Sequence, residues 1–193
     1  MSGPIGIDHV TLCVESLAAA EFLFTKILGF DILWSARDVG TEKSSMDTIV
    51  VQRGAIRVAI MQGRDKVIKS QINEFIERFG AGVQHVALEV DDIDAVCREW
   101  EEHGVKFTGQ TKEGRDGFGP LRQRFTYPLF PGSGVFLELI QRQVGGEKSK
   151  SFAKGTVESL YKDIERDQLS GVHQTIIDFD AQMPRSEEFK KAS

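Results

Sequence analysis

The feature that most constrains this chain is a stretch that occurs twice. Ile7-Asp8-His9-Val10-Thr11-Leu12-Cys13-Val14-Glu15-Ser16 is matched 76 residues on (85 − 9 = 76) by Val83-Gln84-His85-Val86-Ala87-Leu88-Glu89-Val90-Asp91-Asp92. Each copy places a histidine on an alternating strand and ends on a short polar side chain able to cap a helix. Leu12 aligns with Leu88, Val14 with Val90, Ser16 with Asp92, Ala20 with Val96, Phe24 with Trp100, and Gly29 with Gly104 after a one-residue slip. The chain therefore reads as duplicated around His9 and His85.

Each copy continues in the same way. In the first, Ile7 to Val14 reads as a strand, and Leu17, Ala20, Phe24 and Leu28 recur at helical spacing until Gly29. Phe30 to Ser35 follows as a strand, then Thr48 to Gln52 and Ala55 to Met61 as a hairpin turning near Arg53-Gly54. In the second, the strands after the helix are Val105 to Phe107, Gln123 to Tyr127 and Gly134 to Ile140, with a glycine-rich loop at Glu113 to Pro120 and a turn at Pro131-Gly132-Ser133-Gly134. This predicts an α+β fold of two tandem strand-helix-three-strand modules, about 5–62 and 81–142, in one domain over 5–145. Asp65 to Phe79 should form an amphipathic linker helix between them. Residues 146–169 read as a connector and a C-terminal helix with Val157, Leu160, Tyr161 and Ile164 on one face. Residues 170–193 read as an extension whose end, from Arg185, is solvated.

Composition narrows the function. With 40% hydrophobic and 27% charged residues the chain is ordinary for a soluble globular protein, and no window is long and apolar enough to span a membrane. Asp8 and Glu15 interrupt the N-terminus too early for an export signal. Cys13 and Cys97 are too few for a disulfide framework and lack metal-binding spacing, which points to a reducing, cytoplasmic setting. A net charge of −5 without a basic stripe argues against nucleic-acid partners.

The chemistry lies in what the strands bring together. A strand offers one face a side chain only at every second residue, so a metal cluster needs ligands from several strands. His9 and His85, at matching positions of the repeat, are two candidates. The third is Glu138, a carboxylate inside the otherwise apolar strand Val135-Phe136-Leu137-Glu138-Leu139-Ile140. Burying it requires a cation or strong donors. Two histidines and a carboxylate make the facial set that holds non-haem iron(II) with coordination positions left open. His103 and His173 fall outside the pattern and read as surface residues.

These residues carry a resemblance. Ile7-Asp8-His9, Leu28-Gly29-Phe30, Gly80 to Leu88, Phe136-Leu137-Glu138-Leu139-Ile140-Gln141-Arg142 and Ile164-Glu165-Arg166-Asp167-Gln168 resemble the catalytic half of the 4-hydroxyphenylpyruvate dioxygenase and hydroxymandelate synthase family. That family lies within the vicinal oxygen chelate (glyoxalase/bleomycin resistance/dioxygenase) superfamily, and the likeness covers about residues 5 to 169. It implies a vicinal oxygen chelate fold, an open barrel around a metal site with a C-terminal lid helix. It also implies Fe(II) held by His9, His85 and Glu138, with a small-molecule 2-oxo acid and O2 as reactants. The expected activity is oxidative decarboxylation of an arylpyruvate-like 2-oxo acid with hydroxylation of the same substrate. Gln123 and Phe125 match the family's substrate-ring residues, Gln71, Gln62, Thr48 and Gln84 would form the polar lining, and Phe152 matches the lid aromatics.

The resemblance is incomplete. The likeness is to the family's catalytic half alone, and a counterpart of its additional N-terminal domain is not expected in these residues. The interval from His85 to Glu138 (138 − 85 = 53) is shorter than the family's, and Thr48 and Gln62 differ in detail, so substrate identity is open. Two other functions share the fold: extradiol ring cleavage of catechols, and non-catalytic small-molecule binding or resistance. A glyoxalase-type site would draw a fourth ligand from the last strand of the first module, but Arg57-Val58-Ala59-Ile60-Met61 contains neither Glu nor His.

Overall fold

The computed structural model describes residues 3–116, 119–142, 174–178 and 181. Eight strands form one curled, mixed half-barrel sheet in the order β2-β3-β4-β1-β5-β8-β7-β6. They are β1 (Gly6–Cys13), β2 (Asp31–Gly40), β3 (Ser44–Arg53), β4 (Ile56–Asp65), β5 (Gly82–Glu89), β6 (Phe107–Asp116), β7 (Gly119–Thr126) and β8 (Phe136–Arg142). The helices are α1 (Leu17–Phe22), which runs on into a π-helical turn at Leu23–Ile27, α2 (Gln71–Phe79) and α3 (Ile93–Glu102). No helix among the described residues is long and apolar enough to cross a membrane.

The order 2-3-4-1 in the first half and 6-7-8-5 in the second is one topology used twice, and the halves meet where β1 lies antiparallel to β5. β1 pairs in parallel with β4 and β5 with β8. Registers make the equivalence exact to the residue. Thr11 faces Ala59 and Ala59 faces Val50 in one half; Ala87 faces Glu138 and Glu138 faces Phe125 in the other. The repeat thus relates His9 to His85, Thr11 to Ala87, Ala59 to Glu138, Val50 to Phe125, and Thr48 to Gln123.

Alternation divides the strand residues between two faces. The helix face of the first half packs Leu17, Ile49, Val51, Val58 and Ile60, and that of the second packs Val90, Ile93, Val96, Cys97 and Leu139. Each such side chain, fully buried, contributes about 1.5–3 kcal/mol, so these faces seat α1 and α3 firmly. Ser16 accepts from the Ala19 N–H at 3.2 Å, and Asp92 accepts from the Asp94 and Ala95 N–H groups at 3.1 and 3.0 Å, as their short polar side chains predict. The inner face is concave and carries the candidate ligands.

Two expectations need correction. The linker helix begins at Gln71, not at residue 65, because β4 runs on to Asp65. The Asp65 carboxylate accepts from the Ser70 N–H (2.7 Å) and from Asn73 Nδ2 (2.9 Å), and Val67 and Ile68 donate their N–H groups to the Lys43 carbonyl, so residues 66–69 are committed to a loop. The glycine-rich stretch from Glu113 is no loop: β6 and β7 pair as far as Asp116 and Gly119. β6 escaped notice because Thr108 to Asp116 lacks apolar alternation, as suits a strand at the end of the sheet order. Residues of the extension rejoin the fold: Ile176 donates to the Pro128 carbonyl and accepts from the Lys106 N–H. The expected connector and lid helix over 146–169, with Phe152, lie outside the described residues.

Candidate metal centre

The β1–β5 seam contains two bulges, and they shape the site. His9 faces Ala87, Val10 faces Val86 and Thr11 faces His85, yet Ile7 faces Leu88 and Leu12 faces Val83. Asp8 on β1 and Gln84 on β5 are therefore extra residues. An extra residue interrupts alternation and lets two neighbours project to one side. Asp8 and His9 are accordingly both buried, as are Gln84 and His85, whereas Ile7 and Val83 on the outer side are exposed. Strict alternation would have turned Gln84 away from the inner face; the bulge places its amide beside His85.

Two cross-strand rows follow. One reads Ala59, Thr11, His85, Phe136 and the next His9, Ala87, Glu138, Phe125. In these rows His9, His85 and Glu138 converge, with one potential ligand atom from each lying within 4.8 Å of the others. Both imidazole Nε2 atoms stand 3.5 Å from Glu138 Oε2, and all three residues are buried. The rings meet nearly edge to face, at 76° and 5.8 Å between centroids.

The far side of each imidazole is occupied. His9 Nδ1 donates to Asp8 Oδ1 at 2.8 Å. Asp8 in turn accepts from Arg142 Nε (2.5 Å), from the Arg142 terminal nitrogen (2.9 Å) and from Arg57 (3.0 Å). Burial by itself would raise the Asp8 carboxyl, but the hydrogen bonds from His9 and Arg142 outweigh it and hold the group well below the usual carboxylate range. It is thus an acceptor, which assigns the His9 proton to Nδ1. His85 Nδ1 lies 3.2 Å from Gln84 Oε1 and donates to it in the same way. Burial depresses the His85 pKa, against the pull of Glu138, which keeps this ring neutral.

With each Nδ1 turned to its neighbour, each Nε2 is left facing Glu138. Two imidazoles and a carboxyl group then crowd one buried space. That is unfavourable in a buried setting unless a cation joins them, and two imidazoles with one carboxylate suit a divalent transition metal such as iron(II). The residues fit the implied metal. On the repeat-related side, Ala59 stands where Glu138 stands in the other half, so that position supplies no fourth ligand.

The other expected site residues divide. Phe125 lies edge-on to the His85 ring at 6.4 Å, and Gln123 is buried two residues along the same face of β7. Thr48, at the position equivalent to Gln123, is buried on the inner face of the first half. Gln71 opens α2 with its Oε1 buried and without a hydrogen-bond partner among the described residues. Gln62 is not brought to the site. It sits on the helix face, where its Oε1 accepts from the Leu17 N–H at 2.7 Å, just as the equivalent Gln141 accepts from the Ile93 N–H at 3.1 Å. Both amides serve as helix-end acceptors, and one step along β4 decides which face a side chain meets.

Sequence reasoning missed Phe136, which stacks on His85 at 4.9 Å and 22°, and the group formed by Asp8, Arg57 and Arg142. Strand parity could have found Arg142, which lies four residues beyond Glu138 on the same face.

Residues 8–125 match the model of the Glyoxalase/Bleomycin resistance protein/Dioxygenase superfamily. Over 199 residues the chain is 29% identical to 4-hydroxyphenylpyruvate dioxygenase of Sus scrofa, covering 84% of this chain and 50% of that one. It is 30% identical over 205 residues to the 4-hydroxyphenylpyruvate dioxygenase of Neurospora crassa, covering 84% and 48%. The chain spans about half the length of the curated relatives it matches. Among solved structures, a variant of 4-hydroxymandelate synthase from Streptomyces coelicolor superposes with a TM-score of 0.75 at 26% identity, over 84% of this chain and 54% of that one. Methylmalonyl-CoA epimerase from Mycobacterium tuberculosis does so with a TM-score of 0.57 at 26% identity, over 74% and 91%.

Proposed function

The chain belongs to the glyoxalase/bleomycin resistance protein/dioxygenase superfamily, and from that premise we propose that it is an iron(II)-dependent dioxygenase acting on a 2-oxo acid of the arylpyruvate class. The observation that carries this reading is the convergence of His9, His85 and Glu138 with both Nδ1 protons already engaged. The likeness to 4-hydroxyphenylpyruvate dioxygenases and to 4-hydroxymandelate synthase supports the substrate class. Iron(II) held there would supply chelation of the 2-oxo acid and activation of O2, for oxidative decarboxylation and hydroxylation of the same molecule.

The remaining work falls to the chain's own groups. Asp8, clamped by Arg142 and Arg57, fixes the His9 ring and keeps its proton on Nδ1. Gln84 does the same for His85. Ala59, with only a methyl group, leaves its side of the centre free for a substrate. Phe125 and Phe136 flank His85 and give an apolar wall suited to an aromatic ring, while Gln123 offers a buried amide to a ring substituent. Orientation by such walls is what makes reactants meet productively.

The test is oxygen uptake by the iron(II)-loaded protein over a panel of aryl and aliphatic 2-oxo acids, with products identified by mass spectrometry. One CO2 released per O2 consumed and a product bearing a new hydroxyl group are expected. Activity confined to catechols would replace this reading with ring cleavage, and tight binding of arylpyruvates without turnover would make the protein a binder.

A further inference from the structure

Thr11 lies on β1 beside the candidate centre. It sits two residues beyond His9 on the inner face, is 1% exposed, and its Oγ1 has no hydrogen-bond partner among the described residues. A buried hydroxyl left unpaired is a net cost to the fold, and where one persists a ligand is a physical reason for it. Its surroundings say which ligand. In its cross-strand row Thr11 stands between Ala59 and His85, so its side chain neighbours the ligating ring at about 4.5–5.5 Å between Cβ atoms.

The repeat sharpens the position. It pairs His9 with His85, Glu138 with Ala59, and Ala87 with Thr11. On the Glu138 side, the central strands present a carboxylate with a methyl beside it; on the opposite side they present a methyl with a hydroxyl beside it. A molecule entering opposite Glu138 therefore meets the Ala59 methyl, which leaves it room, and the Thr11 hydroxyl, which can donate a hydrogen bond to it. A hydroxyl donor suits an anionic or strongly polarised oxygen.

We propose that Thr11 is a ligand-binding residue, whose hydroxyl donates a hydrogen bond to an oxyanion of the carboxylate or 2-oxo acid class bound at the His9–His85–Glu138 centre on the side away from Glu138. This rests on the reading of that cluster as a metal centre and names a contact on its free side.

The experiment compares wild type with Thr11→Val, which keeps the shape and removes the hydroxyl, and with Thr11→Ser, which restores it. Cobalt(II) binding and the melting temperature of the metal-free proteins are measured first. Phenylpyruvate is then titrated anaerobically into the iron(II) proteins and azide into the cobalt(II) proteins, each followed by its visible absorption. Thr11→Val should bind cobalt as wild type does and melt at the same temperature or higher, yet bind phenylpyruvate and azide about tenfold to a hundredfold more weakly, with Thr11→Ser near wild type. Affinities within about twofold of wild type would overturn the proposal, since a hydrogen bond to a charged group is worth more than that. A lower melting temperature or weaker cobalt binding in Thr11→Val would also overturn it, because the hydroxyl would then have a structural partner. If wild type binds azide but no phenylpyruvate, the 2-oxo acid reading falls while azide still decides Thr11. A wild-type protein that takes up no cobalt sinks both.

Discussion

The two halves of the sheet share topology, the register of their central strands and helix caps, yet at one pair of equivalent inner positions only the second half carries a carboxylate. Glu138 and Ala59 occupy equivalent positions, as do Phe125 and Val50, and Gln123 and Thr48. The helix faces have stayed alike, down to the paired amides of Gln62 and Gln141. The difference teaches where each kind of constraint sits. The outer face must seat a helix in both halves and so repeats itself, whereas the inner face, where the proposed metal centre lies, is under no such demand and differs between the halves.

That asymmetry can be broken outright. Glu138→Ala or His9→Ala should abolish retention of iron(II) on dialysis, read as metal content, since each removes one of three ligands. Ala59→Glu in the native background should instead hold metal at least as tightly while oxygen uptake with a 2-oxo acid falls by about tenfold or more, because a fourth protein ligand occupies a substrate position. Unchanged uptake would mean that Ala59 does not face the open side.

The supports behind the two histidines differ too, an ionised Asp8 held by two arginines against a neutral Gln84. Asp8→Asn should weaken metal binding by about 10–100-fold, measured by competition with a chelator. It should also lower stability, though by less than the roughly 3–5 kcal/mol of a fully buried pair, since both arginines keep some contact with water. Gln84→Ala should do less on both counts.

Smaller effects test the likeness of the outer faces. Gln62→Leu and Gln141→Leu should each cost about 1 kcal/mol in urea unfolding, by unpairing a helix-end N–H. Gln62→Leu should leave 2-oxo acid affinity unchanged, and a marked loss would return Gln62 to the substrate pocket.

The two cysteines give the finest comparison. Burial pushes the Cys13 thiol up to about 12, while the rise at Cys97, also from burial, is opposed by a hydrogen bond with Arg124. Iodoacetamide at pH 8 should therefore modify Cys97 before Cys13. The sign for stability follows: the folded chain keeps the Cys13 proton where the unfolded chain releases it near about 8.5. Its contribution is full below that pH and is lost as pH rises toward 12, and urea midpoints in wild type and Cys13→Ala would show the slope.

Much of this was legible before any fold was known. The duplicated histidines, the caps Ser16 and Asp92, and a carboxylate in an apolar strand all follow from spacing and from the cost of burying charge. What was hidden depends on a shift of a single residue. Gln62 reads as a pocket residue in the sequence, yet it lies one position past Met61, on the other face of β4. Gln84 appeared turned away because alternation cannot foresee a bulge. Residues 113–116 look like a loop because an edge strand need not bury one face. The Asp8 group brings together β1, β4 and β8, and no local pattern announces such a meeting.

The two bulges carry a consequence for how such a site can change over time. Because Asp8 and Gln84 are each one residue more than the ladder requires, deleting either would remove its own bulge from the β1–β5 ladder and leave the histidine after it facing inward. The partner that sets each imidazole's proton thus sits on a spare residue, which the sheet does not need for its own pairing. Variation can act there on the character of the metal centre with little disturbance to the architecture that holds it. Gln84, with no arginines to satisfy, is the freer of the two dials.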